Sequence, residues 1–596
     1  MKLTITKSKN AACFYVQRSV RRDDGHVSSV TVEKLGNLEA VRTRANGGDP
    51  YQWAKNYVEE LNRKEYEEKK EIIISYSPAK LLNRNERMAF NCGYLFLQEI
   101  YNGLGLDRIC AKIARKRKFQ YDLNEILSRL VYTRIIYPAS KLGTWKFSGS
   151  LLEPASFGLH DIYRALSVLA DESDFIQEEL YKNSQKVLDR RKDLLYYDCT
   201  NYYFEIEQED DFRKYGKSKQ HQPLPIVGMG MFMDYDGIPV AFSTFPGNQN
   251  EQPTLKPLEE KILRDFGMGH LVVCTDAGLS STQNRKFNDI RIGGEEVRSF
   301  ITTQSIKSLP DFLQEYALGT TGWHLAGDER EYDITKLDDV ADRDRIFYKE
   351  RWIKEDITPS QEKNGEKALE QRLIVSFSIK YRDYLRSIRD GQVRRARKIV
   401  DSGSASRRGK SQNDPNRFIS HDRMTDTGEA CGKDIPYVDQ DIIDHEEKYD
   451  GFYAICTDMA DESIGRILMI NRKRWQIEEC FRIIKTEFKA NPVYLQRSER
   501  ISAHFLTCFL ALYIYRILEK ELDGRFTCEQ IVDTLRGMML TKVGDRVGYI
   551  PSYTRTDLTD ALHELSGFRT DHEITSCRDM RSIIAGTKKK KKNRYI

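Results

Sequence analysis

The chain of 596 residues has no uninterrupted apolar run of about 18 or more residues, so a transmembrane span is not expected. Its opening, MKLTITKSKNAACFYV, lacks a charged region followed by an apolar core, so it does not read as a secretory signal. The eleven cysteines are scattered, with no Cys-x-x-Cys pair. That argues against a zinc ribbon and against a disulfide framework, and fits reduced thiols in a cytoplasm. One-sided charge is missing too: 95 Lys and Arg face 90 Asp and Glu, a formal net charge of +5. Bulk charge therefore announces no nucleic-acid partner, and its distribution has to carry that question. No internal repeat is visible. What the chain does have is apolar material for cores, 40% of its residues, and length for three or four domains of roughly 100–200 residues each.

The first segment reads as a β-hairpin: FYVQRSV alternates, RRDDGH supplies an Asp-Gly turn and VSSVTVEKLG is the partner strand. A polar helix is expected over about 54–71, and a helical pattern over about 86–190. From Asp193 the character changes. LLYYDCTNYYFEI and PIVGMGMFMDYDGIPVAFSTF read as three strands, followed by a helix, the strand HLVVCTD, a second helix and the strand SFITTQS. That succession describes a mixed α/β layer. The stretch 306–450 breaks the rhythm with short strands (RIFYKERWI, RLIVSFSI), a basic helix and the polar segment DSGSASRRGKSQNDPN, expected to be a flexible loop. Strand GFYAICTD restores the pattern. A long helix is then expected from about Ser463 to Phe488, with a second apolar helix, AHFLTCFLALYIYRILEKEL, after it. The domain boundaries implied are 1–80, 81–190, 191–305, 306–450, 451–520 and 521–596, the last a helical region with a basic tail.

Three acids stand out. Asp198 interrupts a strand otherwise made of Leu, Tyr, Cys and Thr, and a lone acid there is costly to bury unless paired, hydrogen-bonded or metal-bound. Asp276 ends LVVCTD before AGLSS; an acid at the C-terminal end of a strand is a frequent active-site position in α/β proteins, although turn or capping chemistry explains it equally well. Glu478 lies on the long helix, where helical spacing aligns Asn471, Arg474, Glu478, Arg482 and Lys485 on one polar stripe beside Ile477, Phe481, Ile484 and Phe488. Each acid alone has a structural explanation. Together they suit phosphoryl transfer, which two divalent ions about 3.5–4 Å apart can assist, because hard cations take carboxylate ligands.

These windows resemble the Asp-Asp-Glu transposases of bacterial insertion sequences, in the branch with a Tyr-x2-Arg-x3-Glu-x6-Lys signature. In NRKRWQIEECFRIIK, Arg474, Glu478 and Lys485 hold the Arg, Glu and Lys positions, while Asn471 replaces the Tyr. YYDCTNYYFE and VVCTDAGLSSTQN are similar to the two aspartate strands, with Asp198 and Asp276 at the acids. The resemblance covers about 190–515. It implies a ribonuclease H-like five-stranded mixed sheet, interrupted by a β-rich insertion domain between Asp276 and Glu478, which stand 202 positions apart. It also implies two magnesium ions (manganese substituting) on Asp198, Asp276 and Glu478, cut-and-paste transposition, and double-stranded DNA as partner, both the terminal inverted repeats and the target. A homodimer in a synaptic complex and a bacterial cytoplasmic, nucleoid-associated location follow from the same resemblance. The alternatives are a nuclease of that fold without strand transfer, or an inactive DNA-binding derivative.

Between Lys380 and Arg417 twelve Lys or Arg face four Asp. Arg394, Arg395, Arg397 and Lys398 make this a candidate DNA contact, with a solvated helix face as the plainer reading. ARKRK at 114–118 and the Lys588–Lys592 run are weaker basic patches. Trp323 and Trp352 could stack an extruded base, although a core position is the simpler expectation for both. Asp458 reads as a strand-end or cap residue, and His504 as a structural group or a phosphate contact.

Overall fold

The computed structural model describes residues 1–8, 11–21, 27–68, 74, 76–191, 193–268, 270–292, 295–355, 357, 359–363, 367–406, 413–424, 430–544 and 547–589. Two compact units follow each other along the chain, Met1–Glu86 and Arg87–Ile596. In the first, strands Lys2–Ser8, Ala11–Arg21 and Val27–Asn37 form an antiparallel sheet. Alternation puts Phe14 and Val16 on its inner face, where with Leu35 they meet Val41, Ala54 and Val58 of helices Leu38–Arg44 and Pro50–Glu68. The expected hairpin is the second and third of these strands. Its Asp-Gly turn lies outside the described residues, and the first strand is an addition that sequence pattern did not bring out.

In the second unit, six helices between Tyr94 and Ser184 pack around helix Ser498–Glu521. That central helix is long and apolar enough to cross a membrane, with a mean hydropathy of 1.6, yet 94% of the window is buried inside the protein. Single polar residues interrupt the run, which is why it does not stand out as an unbroken apolar segment. Its Arg516 is paid for internally: Nε donates to the Gly237 carbonyl at 2.9 Å and Nη1 pairs with Glu519.

The same unit holds a mixed sheet of eleven strands among the described residues: β1 (Leu194–Tyr203), β2 (Ile226–Asp234), β3 (Pro239–Pro246), β4 (Leu271–Thr275), β5 (Ile290–Ile292), β6 (Glu295–Gln304), β7 (Trp323–Leu325), β8 (Asp328–Tyr332), β9 (Phe347–Lys354), β10 (Glu370–Phe377) and β11 (Phe452–Thr457). The order is β8-β7-β9-β10-β11-β6-β4-β1-β2-β3, with β5 on β6. β1, β2 and β3 form an antiparallel meander; β4 runs parallel to β1, and β6 parallel to β4. Helices Leu255–Phe266 and Thr282–Asn288 occupy the crossovers. The expected alternation of three strands, helix, strand, helix and strand is therefore present, and the chain is of the mixed α/β class.

Strands from the irregular 306–450 stretch continue this sheet, because β10 pairs with β11. The stretch also holds helices Asp311–Leu318, Ile379–Asp401 and Gln440–Glu447 and the ribbon Ile419–Met424 with Ala430–Val438; residues 407–412 of its polar segment lie outside the described residues. After residue 521, where helices alone were expected, Met539–Val543 and Gly548–Pro551 join Ala89–Asn91 and Thr575–Ser576 in a four-stranded sheet. Strands of two to five residues are too short to express a readable period. Of the C-terminal basic run, Lys588 pairs with Glu153, and residues from 590 onward lie outside the described residues.

Candidate active site

Both faces of β1 are covered, so its alternate residues have separate tasks. Leu195, Tyr197 and Cys199 pack with Ile262 and Phe266 of helix Leu255–Phe266. The Tyr197 ring crosses β2 at Gly230, where an added Cβ would come within 2.2 Å of the Tyr197 hydroxyl. On the opposite face lie Tyr196, Asp198 and Thr200. The Tyr196 hydroxyl donates to the Ile470 carbonyl at 2.9 Å, and Lys485 Nζ donates to Thr200 Oγ1 at 2.6 Å. Asp198 sits between these two anchors, which strap the Glu478-bearing segment along β1.

Asp276 is brought to the same place by strand register. Tyr196 of β1 pairs with Cys274 of β4. Asp198 lies two residues beyond Tyr196, and Asp276 two beyond Cys274, so parallel strands carry both acids to one level and one face. Beyond Tyr196 the pairing between β1 and β4 stops, which opens a crevice at the strand ends. Burial, first, and the Asp276 charge push the Asp198 carboxyl up to about 7, against the pull of Lys219, the Cys199 N–H and Arg474. Asp276 also caps the short turn Ala277–Leu279, accepting from Leu279 N at 3.1 Å. The capping role weighed for it from the sequence thus coexists with its place beside Asp198.

Glu478 is held differently. The single helix expected over about Ser463 to Phe488 is two helices, Ile464–Arg472 and Trp475–Thr486. Between them Lys473 N, Arg474 N, Gln476 N and Ile477 N bond three residues back, to Ile470, Asn471, Lys473 and Arg474. This tightening breaks the helix and rotates the polar stripe. Asn471 is buried, donating to the Tyr453 hydroxyl at 3.1 Å, and lines the same cavity as Arg474 and Glu478. Arg474 immediately precedes the second helix, its guanidinium 3.3 Å from the Glu478 carboxylate, whose side chain is 57% exposed. Burial opposes the Arg474 charge, but Tyr453, Glu478, Cys274 and Asp276 outweigh it and raise its pKa. Arg474 thus feels all three candidate acids. Arg482 points elsewhere, to Glu479 at 3.4 Å and Glu487 at 3.9 Å.

A family model described as Transposase DDE domain matches residues 190–514, more than half of the chain. The chain belongs to the transposase DDE domain family. Among solved structures, the cryo-EM structure of a piggyBac transposase synaptic complex with hairpin DNA aligns with 83% of this chain and 84% of that chain, at 9% identity and a TM-score of 0.33. Among curated proteins none matches the chain.

In this transposase-family chain, Asp198 and Asp276 offer hard oxygen donors on one face, and the raised Asp198 pKa marks a carboxyl that a neighbouring cation would relieve. Glu478 is turned to Arg474 instead, and among the described residues no group of three His, Cys, Asp or Glu is arranged to hold a metal ion. The donor set fits a divalent ion at the aspartate pair; bringing in the third acid requires the Arg474–Glu478 pair to open.

Pattern reasoning missed several groups here. Lys219 follows β1 in a loop, donates to the Cys199 carbonyl and pairs with Glu251 at 3.1 Å. Burial opposes its charge, and Asp198 and Glu251 more than offset that. Lys485, which the signature spacing had already singled out, is pushed down to about 8 by burial and by Lys219. Tyr453 on β11 presents its hydroxyl to Asn471 and, at 2.7 Å, to Thr303. Loop residues such as Lys219 and Glu251 carry no periodic signal. Tyr453 lay in a window already singled out, GFYAICTD, but nothing local marked its hydroxyl.

The remaining candidates are dispersed. Arg394, Arg395, Arg397 and Lys398 are exposed on helix Ile379–Asp401, the first two donating to carbonyls of their own helix. Trp323 is fully buried, its Nε1 donating to the Gly319 carbonyl at 2.9 Å, as expected of a core tryptophan. Trp352 is exposed and lines a separate cavity with Arg291 and Lys354. Asp458 directly follows β11 and accepts from Phe300 N at 2.8 Å.

Proposed function

We propose that this protein is a DNA transposase of a bacterial insertion sequence, which cleaves the element ends and joins the freed 3′-hydroxyl to target DNA by cut-and-paste. The observation that carries this reading is the aspartate pair: Asp198 and Asp276 at one level of adjacent parallel strands, with Arg474 acting on both. We read the order β3-β2-β1-β4-β6, a meander with two parallel additions, as ribonuclease H-like, and 306–450 as an insertion whose basic helix grips the element end. Asp198, Asp276 and Glu478 would hold two magnesium ions, for which manganese can substitute; when bound, these activate the attacking oxygen and neutralise phosphate charge.

The chain's own residues do the positioning. Lys485 holds the Glu478 helix against β1, and Tyr196 holds the helix before it. Arg474 exchanges Glu478 for a DNA phosphate, which frees the carboxylate to turn toward the aspartates. Lys485 and the basic face at Arg394, Arg395, Arg397 and Lys398 neutralise backbone phosphates. Two element ends have to be paired, so the working form is a homodimer, at the nucleoid when bound.

The test is cleavage of a labelled duplex carrying the element's terminal repeat, in magnesium. Glu478→Gln should abolish cleavage and leave duplex binding intact; cleavage near the wild-type rate would end the proposal. Pre-cleaved ends, offered with a target plasmid, separate transposition from hydrolysis alone.

A further inference from the structure

Beyond the acids, a cavity of about 270 Å³ opens between the loop 489–495, which follows the Glu478 helix, and the start of helix Lys141–Ser148. Arg134, Ser140, Lys141, Tyr163, Lys489 and His504 are among its walls. Arg134 and Lys141 are almost completely buried, 5% and 6% exposed. Arg134 donates through Nη1 to the carbonyls of Phe488 at 3.1 Å and Lys489 at 3.4 Å, and through Nη2 to that of Ala139 at 3.3 Å; its buried Nε has no hydrogen-bond partner. Lys141 Nζ donates to His504 Nδ1 at 3.4 Å, and His504 Nε2 donates to the Ala490 carbonyl at 3.3 Å.

That relay leaves His504 neutral, and burial with the charges of Lys141 and Arg134 pushes its pKa well below the ordinary histidine value. Burial, with Arg134 beside it, pushes Lys141 down to about 7. Among the described residues no carboxylate pairs with Arg134, Lys141 or His504. A permanently charged guanidinium and an amine are therefore desolvated together without a counter-charge, an arrangement proteins avoid unless an anion completes it. The first turn of helix Lys141–Ser148, whose Gly143 N–H is capped by Ser140 Oγ at 3.2 Å, adds its positive dipole end at the same wall.

We propose that this cavity is a phosphate-binding site. The phosphate is either one of a DNA backbone or a free phosphate ion. Only the DNA source rests on the transposase reading. Position favours it: Asn491 on the rim donates to Gln220 at 2.8 Å, and Gln220 adjoins Lys219, which faces Asp198. A phosphate seated against Arg134 would also fix the end of the Glu478 helix, because Arg134 already holds the Phe488 and Lys489 carbonyls.

The experiment uses the full chain. Thermal unfolding is followed with inorganic phosphate against sodium chloride at matched ionic strength, and binding of a duplex is measured across salt concentrations, for the wild type and Lys141→Gln. Phosphate should raise the wild-type Tm by several degrees beyond chloride, and Lys141→Gln should lose that response. A salt dependence of duplex binding shallower by about 0.9 in log–log slope in the variant assigns the seat to a DNA phosphate. A lost Tm response with an unchanged slope assigns it to free phosphate. No phosphate-specific Tm response in the wild type, together with an unchanged slope, overturns the proposal. If Lys141→Gln does not fold, the exposed wall residue Lys489→Gln replaces it and must at least halve the wild-type response; an undiminished response overturns the site. None of these readouts requires cleavage, so a failed transposase assignment and a failed phosphate site give different results.

Discussion

Asp198 lies within a strand covered on both faces, whereas Glu478, 57% exposed, lies on a helix and is held by one arginine 3.3 Å away. The aspartate half of the site is set by backbone register. The last paired residues of β1 and β4, Tyr196 and Cys274, set where the acids two residues further on emerge, and the surrounding core resists adjustment. The glutamate half depends on an i,i+4 ion pair, worth only about 0.3–0.5 kcal/mol when exposed. Fixed acids and a cheaply movable one are what a site needs if it is to complete itself only when DNA competes for the arginine.

The comparison is tested most severely by activity against stability. Asp198→Asn and Glu478→Gln should each reduce end cleavage by about three orders of magnitude or more, the several kcal/mol of charge stabilisation at stake. Their unfolding should differ. Glu478→Gln should leave stability within about 0.5 kcal/mol of wild type, whereas Asp198→Asn, which replaces a desolvated acid, should raise Tm above pH 7. Equal stability changes in the two variants would erase the distinction between the halves.

The sheet half should also carry the pH dependence. Glu259, on helix Leu255–Phe266 behind the sheet, is fully buried, accepts from Asn288 Nδ2 at 3.1 Å, and lies 3.8 Å from Arg298. Burial, against the pull of Asn288 and Arg298, pushes its carboxyl up to about 7. Between its unfolded pKa, about 4.5, and 7 the unfolded chain has released this proton and the folded one has kept it. Stability should therefore fall by about 3 kcal/mol as pH rises through that window and level off above it. Urea midpoints across pH should show this slope in the wild type and a flatter one in Glu259→Gln; identical slopes would remove Glu259 from the account.

Gly230→Ala probes the packing that aims β1. The new methyl meets the Tyr197 hydroxyl, itself 2.7 Å from Thr254 Oγ1, so a loss of about 1–3 kcal/mol is expected in calorimetry. No loss would mean that the ring can move and that β1 is less firmly set than proposed. The smallest effect is on the helix side. Tyr453→Phe removes the acceptor for buried Asn471 and should cost about 1 kcal/mol, with chemical denaturation as the readout.

Much of this site was legible before the fold was known, but unevenly. The strands bearing Asp198 and Asp276 announce themselves through β-branched and aromatic runs that end in turn residues, and the meander, crossover helices and later strand follow from local period. The Glu478 helix was legible as an amphipathic pattern, but its break at Lys473–Arg474 was not. Residues 464–486 keep helical spacing on both sides, and the anchors that tighten the junction, Tyr196 on Ile470 and Tyr453 on Asn471, come from strands far away in the chain. The sheet's extension by β7 to β10 was hidden for a similar reason: strand pairing between distant segments leaves no trace in either segment alone.

By itself, then, the sequence determined which residues could carry the chemistry, because residue type, strand ends and signature spacing are local properties. Only the tertiary structure decided how they stand to one another. It set Asp198 level with Asp276 through parallel register, brought Arg474 within reach of both aspartates, drew Lys219 and Lys485 beside the first acid, and buried Arg134 and Lys141 without a counter-charge. Distances and desolvation depend on which distant segments meet, and those decide the charge state and reach of each group.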